Sequence, residues 1–304
     1  MDNFLHRPVS RNAKLRDLLK NPPLLVPGAH DGLTARLVEQ AGFDAVYMGG
    51  YASTGALLGR PDMGLLTGTE MIGHARRLAG AVDIPVVADA DTRYGNAINV
   101  VRTVHDYEQA GVSAIHLEDQ TAPKRCGHLA GKEVIVTGEH VGKIKAAVTA
   151  RSDPDFVIIA RTDALVKYGV EAACDRALRY RDAGADVLWV EAPTSEAELE
   201  TISKRLSGNT VLLNWLEGGL TPMIDIERIR EYGFGVVLYP IGSVLAVTGA
   251  MRDHYASVRK HGTPLQCMRT LPSFDDFTKA VGISEIEQLS QEFADPDTSG
   301  SQGH

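Results

Sequence analysis

Short apolar segments alternate with longer amphipathic ones along most of this chain. The apolar segments predict eight strands, over residues 24–28, 44–48, 84–88, 114–117, 156–160, 187–190, 211–213 and 236–238. Helical patterns lie between them, for example after the capping residue Asp31 and over residues 96–110. Short apolar strands that alternate with helices predict a parallel sheet covered by helices.

A helix-ending glycine recurs before several of these strands and supports the same division of the chain. The glycines are Gly42, Gly111, Gly184 and Gly233. Eight strand–helix units fit a (β/α)8 TIM-type barrel, which we place in residues 1–260. A doubly wound open sheet is the alternative. It usually carries G-x-G-x-x-G after its first strand, and the segment Gly28-Ala29-His30-Asp31-Gly32 lacks that pattern.

Residues 261–304 form a predicted C-terminal helical extension. Turns interrupted by proline precede a helix that starts near Ser284 and carries the apolar residues Ile286 and Leu289. Residues 295–304 are short and polar, and we expect them to be disordered. The helix fits either a cap on its own barrel or a contact with another subunit.

Composition narrows the class of protein. The 304 residues carry a net charge of −8 without a basic tract, which argues against nucleic acid as a partner. No apolar run approaches the ~20 residues that span a membrane, and residues 1–11 lack the apolar core of a secretory signal. Three cysteines without a C-x-x-C pair suggest reduced thiols in a cytoplasmic protein.

Polar side chains follow almost every predicted strand. They are Tyr47, Asp89, Asp91, Glu118, Asp119, Arg161, Asp163, Glu191, Asn214, Glu217 and Tyr239. In a (β/α)8 barrel the carboxyl ends of the strands meet at one mouth, where active sites lie. Some of these residues, such as Asp119 and Asp163, fit equally well as turn formers or helix caps.

Three carboxylates in one mouth require a cation to relieve their repulsion. Asp89, Asp91 and Glu118 are oxygen donors, and no histidine pair stands at ligand spacing, so the donor set favours Mg²⁺ or Mn²⁺ over zinc. Mg²⁺ keeps most of its waters, so we expect one carboxylate to bind it directly and the others to hold waters. Cys126 and His128 resemble half of a zinc site, but no second half is evident.

The segment Lys124-Arg125-Cys126-Gly127-His128 lies in a long loop after the fourth strand. Positive neighbours lower the pKa of a thiol, so this pattern predicts a reactive thiolate at Cys126. A solvated basic loop with an incidental cysteine is the alternative. A Schiff-base aldolase would need a lysine at a strand end, whereas Lys124 lies in the loop.

Four segments together resemble the isocitrate lyase/phosphoenolpyruvate mutase superfamily. They are Asp89-Ala90-Asp91-Thr92, Tyr94-Gly95-Asn96, Glu118-Asp119-Gln120 and Lys124-Arg125-Cys126-Gly127-His128. The last segment looks most like the short-chain carbon–carbon lyases of this superfamily, the 2-methylisocitrate and 2,3-dimethylmalate lyases. The branch that cleaves phosphorus–carbon bonds typically lacks the cysteine.

The resemblance implies roles for the metal site. Asp89 would touch Mg²⁺ directly, and Asp62, Asp91 and Glu118 would anchor its waters.

It also implies how the substrate would be held. Gly49 and Gly50 would offer backbone N–H groups to a substrate carboxylate, and Arg161 would add positive charge. Tyr47 would lie near the developing carbonyl oxygen and is a candidate base. Glu191 and Asn214 complete the expected active-site set.

The loop residues would act on the other half of the substrate. Lys124, Cys126 and His128 would sit on a loop that closes over it, with Gly127 and His128 in contact with it. Lys124, Arg125 and His128 would supply positive charge to a carboxylate enolate. Cys126 would then protonate that enolate as a general acid.

The departures from the family pattern concern the substrate. Arg93 stands where a glycine is usual, and Tyr51 follows a Gly-Gly turn in place of one with serine or threonine. The Glu-Gly-Gly after Asn214 resembles the dimethylmalate lyase type. The prediction is a homotetrameric, Mg²⁺-dependent lyase acting on a 2-hydroxy di- or tricarboxylate, with its C-terminal helices exchanged between subunits. An oxaloacetate hydrolase or decarboxylase, and a catalytically silent metabolite-binding barrel, are the alternatives.

Overall fold

The computed structural model describes residues 10–92, 94–128 and 131–294. The described residues divide into two compact units, of which residues 10–246 contain every strand of the sheet and residues 247–294 belong to the other. This division falls inside a helix, earlier than residue 260, where we placed the boundary from the sequence. The sequence-based boundary stays a prediction.

The sheet consists of eight parallel strands. They are β1 (Leu24–Pro27), β2 (Val46–Met48), β3 (Val86–Asp89), β4 (Ala114–Glu118), β5 (Val157–Thr162), β6 (Val187–Val190), β7 (Val211–Asn214) and β8 (Val236–Tyr239). Strands β2 to β8 pair in chain order, and β8 pairs with β1. A bridge between Gly28 and Tyr47 joins β1 to β2, with the Ala29 N–H donating to the Tyr47 carbonyl oxygen at 2.8 Å. The predicted TIM-type barrel is therefore confirmed.

Helices follow the strands around the barrel. The described residues contain α1 (Asn12–Leu18), α2 (Gly32–Gln40), α3 (Gly50–Leu58), α4 (Gly68–Ala79), α5 (Ala97–Ala110), α6 (Thr137–Ala150), α7 (Leu165–Asp182), α8 (Glu196–Arg205), α9 (Ile226–Tyr232), α10 (Gly242–His261), α11 (Phe274–Ala280) and α12 (Ile283–Glu292). The last part of α10, together with α11 and α12, belongs to the second unit.

The strands are mostly apolar because both of their faces are buried, and their polar residues lie mainly toward the carboxyl ends. On β2, Val46 and Met48 face the layer of helices, whereas Tyr47 belongs to the cluster that fills the barrel. On β6, Leu188 faces the helices and Trp189 fills the interior. Successive side chains of a strand point to opposite faces, so a strand covered on both sides shows no polar alternation in its sequence.

The predicted helix ends are confirmed at several turns. Gly111 and Gly233 have φ angles of +85° and +74° at the ends of α5 and α9, which is the left-handed conformation that closes a helix. At the other end, the Asp31 side chain accepts a hydrogen bond from the Thr34 N–H at 2.7 Å. Local chemistry thus fixes where these helices begin and stop.

Two helices were not predicted from the sequence. α3 begins directly after Gly49, which we interpreted only as part of a turn, and its apolar residues carry almost no helical periodicity. α11 lies in a segment that we interpreted as turns, yet Ser273 caps it and accepts from the Asp276 N–H at 3.0 Å. Short helices with a one-turn apolar face give too weak a pattern to stand out.

The second unit exposes much apolar surface. None of the residues of α11 and α12 is buried, and Phe274 is 83% exposed. Phe277 and Phe293 are also exposed. In the part of the chain that the structure describes, no helix has the length and apolar character needed to cross a membrane. The expected disordered tail, residues 295–304, lies outside the described residues.

Candidate active site

Most of the residues predicted for the active site meet at one mouth of the barrel, whereas Asp119, Asp163, Glu217 and Tyr239 do not line the pocket there. A pocket there is lined by Tyr47, Gly49, Gly50, Asp62, Asp89, Lys124, Cys126, Gly127, Arg161, Glu191 and Asn214 of the predicted set. Three more predicted residues lie directly behind these, where Asp91 contacts Lys124, Glu118 contacts Arg161, and His128 contacts Glu191. Leu216, Pro240 and Ile241 add an apolar wall.

Lys124 sits among the carboxylates. Its ammonium lies 2.6 Å from Asp62 Oδ2 and 2.7 Å from Asp91 Oδ1, and all three side chains are buried. A Cβ atom added at Gly50 would lie 2.7 Å from Asp89 Oδ2 and 3.1 Å from the Lys124 Nζ. The space at Gly50 is therefore the point on which the acidic groups and the lysine converge.

The acidic cluster holds more negative charge than Lys124 alone balances. Burial raises the pKa of Asp91 to about 6, against the effect of Lys124, and the nearby Asp89 and Asp62 raise it further. Burial also raises the pKa of Asp89, but His116, Lys124 and other neighbours outweigh it and bring that pKa down to about 2. Asp89 is thus the carboxylate that is most firmly ionised.

This donor set fits a hard divalent cation held largely through waters. The donors are all carboxylate oxygens, and the negative potential that draws a proton to Asp91 would equally draw a metal ion. Among the described residues, no three His, Cys, Asp or Glu side chains lie close enough together to hold an ion directly. Mg²⁺ keeps several waters and needs only one or two direct carboxylate ligands, so it is compatible with this arrangement.

The backbone after β3 is shaped to bring two carboxylates together. Asp91 adopts a left-handed conformation with φ of +47°, which is costly for a residue other than glycine. Its N–H donates to Asp89 Oδ1 at 2.8 Å. The Gly50 N–H, which we expected to be offered to a substrate, instead donates to Asp89 Oδ2 at 2.9 Å.

Tyr47 is tied to a histidine that sequence analysis missed. The Tyr47 hydroxyl lies 2.8 Å from the His116 Nε2, and that nitrogen lies 3.3 Å from Asp89 Oδ1. Burial raises the pKa of Tyr47 well above its usual value, and Asp89 adds to this effect, so the phenol is protonated at neutral pH. Tyr47 is therefore a hydrogen-bond donor or relay, and it is not a base in its own right.

Arg161 lies fully buried between carboxylates. Its Nε and Nη2 donate to the two oxygens of Asp163, both at 2.9 Å. Nη1 lies 3.4 Å from Glu118 Oε2, and Nη2 lies 3.4 Å from Glu191 Oε1. Asp163, which the sequence left open as a cap, thus fixes the plane of the guanidinium by a bidentate pair.

Asp119 supports this arginine from behind. Its side chain accepts hydrogen bonds from the Asp163 N–H, the Thr162 hydroxyl and the Tyr180 hydroxyl, at 2.9, 2.7 and 2.8 Å. Arg176 donates to it at 3.2 Å. Asp119 faces away from the pocket and joins the ends of β4 and β5 to α7.

Glu191 is oriented by two donors. The Trp189 indole N–H donates to its Oε2 at 2.7 Å, and the Asn214 amide lies 3.2 Å from its Oε1. The guanidinium carbon of Arg161 also lies over the Trp189 ring, 4.8 Å from its centroid. Trp189 stands two residues before Glu191 on the same strand face, which is a spacing that the sequence displays but that we did not use.

Gly127 lets the loop pack tightly onto this floor. A Cβ atom at Gly127 would lie 2.1 Å from Glu191 Oε1 and 2.4 Å from the Arg161 Nη2, distances that no real Cβ atom shows. Only glycine fits this close approach. Cys126 and Gly127 therefore reach the same pocket as the strand-end residues, although they lie in a long loop.

The predicted effect of the basic neighbours on Cys126 is wrong. Burial raises the pKa of this thiol, the nearby Glu191 adds to the rise, and the His128 backbone and Arg161 oppose it only in part. The Arg125 side chain is exposed, and Lys124 is engaged by Asp62 and Asp91. The thiol is therefore protonated at neutral pH, which is the form that a general acid requires.

His128 is neutral rather than a source of positive charge. Its Nδ1 accepts a hydrogen bond from the Leu220 N–H at 2.9 Å, and its Nε2 lies 3.5 Å from Glu191 Oε1. Burial lowers the pKa of this imidazole, and Arg161 and Lys132 lower it further. The acceptor role of Nδ1 places the proton on Nε2, facing Glu191. Arg93, which stands where the family usually has a glycine and whose role the sequence left open, lies outside the described residues.

The comparison with known proteins identifies the family. The family model described as phosphoenolpyruvate phosphomutase matches residues 15–259. The chain belongs to the phosphoenolpyruvate mutase/isocitrate lyase superfamily, as the resemblance predicted.

Two of the relatives with long matched regions are lyases. The chain is 44% identical over 283 residues to 2,3-dimethylmalate lyase of Eubacterium barkeri, which covers 93% of this chain and 98% of that protein. It is also 44% identical over 238 residues to probable 2-methylisocitrate lyase 1 of Corynebacterium glutamicum, covering 78% of each chain.

Solved structures agree with these matches. The crystal structure of a 2,3-dimethylmalate lyase superposes with a TM-score of 0.89 at 36% identity, covering 98% of this chain and 100% of that one. Oxaloacetate acetylhydrolase in complex with 3,3-difluorooxalacetate superposes with a TM-score of 0.89 at 34% identity, covering 94% and 98%. Phosphonopyruvate hydrolase with oxalate and Mg²⁺ gives 0.85 at 32% identity, covering 93% and 99%.

Proposed function

We propose that this protein is a divalent-metal-dependent carbon–carbon lyase. Its substrate is a 2-hydroxy di- or tricarboxylate of the 2,3-dimethylmalate or 2-methylisocitrate type. The products are a 2-oxo acid, such as pyruvate, and a second carboxylate. One observation carries the proposal: a protonated thiol, Cys126, stands in the same pocket as a buried cluster of carboxylates.

We propose Mg²⁺ or Mn²⁺ as the metal. Asp89 would bind it directly, because its carboxylate is the most firmly ionised of the cluster. Asp62, Asp91 and Glu118 would hold its waters. A metal bound there would act as a Lewis acid toward the 2-hydroxyl oxygen and the neighbouring carboxylate of the substrate.

Positive groups around the pocket would hold the substrate. α3 starts at Gly50 beside the pocket, and the first N–H groups of a helix lack partners within that helix. A substrate carboxylate would bind at this end of α3 and would face Arg161. The Gly50 N–H, which donates to Asp89 here, would remain with Asp89, so the N–H groups of the residues after it are the better candidates.

Cleavage breaks the C2–C3 bond and leaves its electron pair on C3, next to a carboxylate. The 2-hydroxyl gives its proton to a base in the site and becomes the carbonyl of the 2-oxo acid. Since C3 gains one proton in the same turnover, this proton balances the one that Cys126 delivers. Tyr47 would donate a hydrogen bond to that oxygen, backed by His116. The Cys126 S–H would then deliver a proton to C3, and the thiolate left behind would regain a proton before the next turnover.

The loop would keep water away from the carbanion. Gly127 already packs against Glu191 and Arg161, and His128 packs on the turn at Gly219 and Leu220. Water near C3 would compete with the thiol as a proton source and would disperse the charge that Arg161 stabilises.

The substrate is tested with a panel. Purified protein is mixed with 2,3-dimethylmalate, 2-methylisocitrate or oxaloacetate, each with Mg²⁺ or with a chelator, and 2-oxo acid release is followed. We expect Mg²⁺-dependent pyruvate from one of the two hydroxy acids. Release of oxalate and acetate from oxaloacetate would favour the hydrolase alternative, which the similarity to oxaloacetate acetylhydrolase supports. Binding without turnover would favour a silent barrel.

We also propose that the protein is a cytoplasmic homotetramer. The three cysteines are free thiols, which suits a reducing compartment. The exposed Phe274 and Phe277 of α11, and Phe293 directly after α12, supply apolar surface for exchange of these helices between subunits. Light scattering on the full chain and on a chain that ends after Gly262 tests this. A monodisperse, fully active monomer would contradict it.

A further inference from the structure

A buried lysine in the active-site loop plays no part in the proposed reaction. The side chain of Lys132 is only 3% exposed. Its ammonium donates to the carbonyl oxygen of Gly127 and lies 3.5 Å from Asp163 Oδ1. A buried lysine is stable only when its charge is paired, so these two contacts set its position.

The two partners of Lys132 belong to different parts of the site. Gly127 is the loop residue that packs against Glu191 and Arg161. Asp163 follows β5 and holds the guanidinium of Arg161 by two hydrogen bonds of 2.9 Å. Lys132 therefore joins the loop segment that carries Cys126 to the part of the barrel that holds Arg161.

The base of the loop is fixed independently of this contact. The Thr121 N–H donates to the Glu133 carbonyl oxygen at 2.9 Å, and the Ile135 N–H donates to the Asp119 carbonyl oxygen at 2.8 Å. These bonds hold the first and last residues of the loop together beside the barrel, but they do not involve residues 126–128. Lys132 lies in the part of the loop that leads back to the barrel, and its side chain reaches the 126–128 segment through the Gly127 carbonyl oxygen.

We propose that Lys132 is a positioning residue that holds the Cys126–His128 segment docked on the pocket. It is not among the residues that line the pocket. It acts through the Gly127 carbonyl and Asp163. The inference rests on the proposed function for its catalytic consequence, but the docking itself is measurable without turnover.

The first test measures access to Cys126. The rate at which iodoacetamide alkylates Cys126 is followed by peptide mass spectrometry, with and without Mg²⁺ and oxalate. We expect Lys132→Met to raise this rate by ~10-fold or more, since a charge-assisted hydrogen bond contributes about that factor or more. Lys132→Arg should stay close to wild type, and Lys132→Gln, which can still donate to Gly127, should lie between them.

The second test measures turnover. We expect Lys132→Met to lower kcat by ~10- to 100-fold while KM changes much less, because the thiol is misplaced and the substrate contacts remain. Lys132→Arg should restore most of kcat. A role confined to stability would lower the melting temperature without this split between kcat and KM.

Lys167→Met is the matched control. Lys167 pairs with Glu133, the residue next to Lys132, but that pair is exposed to solvent. Its loss should change neither alkylation nor turnover. Wild-type alkylation rates in a folded Lys132→Met variant would overturn the proposal, even if kcat fell. If Lys132→Met does not fold, unchanged alkylation in Lys132→Gln would overturn it as well. If Lys132→Met is alkylated faster but the wild-type protein has no lyase activity, the result supports the docking role of Lys132 and rejects the proposed function.

Discussion

The carboxylate cluster and the cysteine loop reach the same pocket by different means. Asp89 and Glu118 are the last residues of β3 and β4, so the barrel itself places them. Cys126 lies in the loop after β4. Its position depends on the close packing of Gly127, on the hydrogen bond from the Leu220 N–H to His128 and on the buried Lys132. We therefore distinguish a fixed half of the site, which the strands place and which suits a metal, from a docked half, which depends on how the loop packs onto the pocket.

The largest expected effect comes from breaking the fixed half. Asp89→Ala should abolish metal-dependent turnover, with a loss of ~10³-fold or more, because the metal supplies several kcal/mol of charge stabilisation. Titration of turnover with Mg²⁺ measures this, and a chelator should stop the wild-type enzyme. Asp91→Ala should weaken the response to Mg²⁺ less. Asp182→Ala, at an exposed ion pair, is the control. Full turnover by chelator-treated protein would reject the metal site.

The next effect comes from the docked half. Cys126→Ser should lower kcat by ~10²- to 10⁴-fold, because a hydroxyl is a much weaker acid than a thiol. KM and the Mg²⁺ response should change little, since the fixed half is intact. Steady-state kinetics separates the two quantities, and Cys174→Ser, in the core of the barrel unit, is the control. Near-normal kcat in Cys126→Ser would show that the cysteine is a loop residue only.

The pH dependence sharpens the comparison. A general acid works only when it is protonated, so kcat/KM should fall as pH rises through the pKa of Cys126. Burial raises that pKa above the ordinary thiol value, so the fall should lie at a more alkaline pH than for an exposed cysteine. A profile of kcat/KM between pH 6 and pH 11 (roughly the thiol range) measures it. A fall that persists unchanged in Cys126→Ser would assign it to another group.

A smaller effect tests the contact between the halves. Trp189→Phe removes the indole N–H that orients Glu191 and should lower kcat by ~10-fold, the factor for one hydrogen bond to a charged group. Phenylalanine keeps an aromatic ring beneath Arg161, although it is smaller than the indole. Trp215→Phe is the size-matched control, because that indole packs edge-on against Tyr239 instead. If Trp189→Phe and Trp215→Phe had the same kinetics, a role for Glu191 in orienting the loop would be rejected.

The sequence predicted the fixed half better than the docked half. Asp89 and Arg161 stand near the carboxyl ends of predicted strands, and all strands of a (β/α)8 barrel have their carboxyl ends at the same mouth. His116 and Trp189 were missed, since a polar or aromatic residue inside a fully buried strand looks like core. Lys132 and the raised pKa of Cys126 were beyond reach, because the sequence does not reveal that burial dominates at the Cys126 thiol or that the Lys132 side chain is buried.

The glycines of the chain also differ in how much mutational change they can tolerate. At Gly127 a single methyl group would overlap Glu191 and Arg161, so selection should reject every other residue there, although glycine carries no functional group. At Gly142, inside α6, an added Cβ atom would meet nothing within 4 Å, and alanine should be neutral or stabilising. A library of variants scored for growth would therefore mark position 127 as intolerant and position 142 as permissive. The cost of changing a residue here is set by the space around it, not by the residue type.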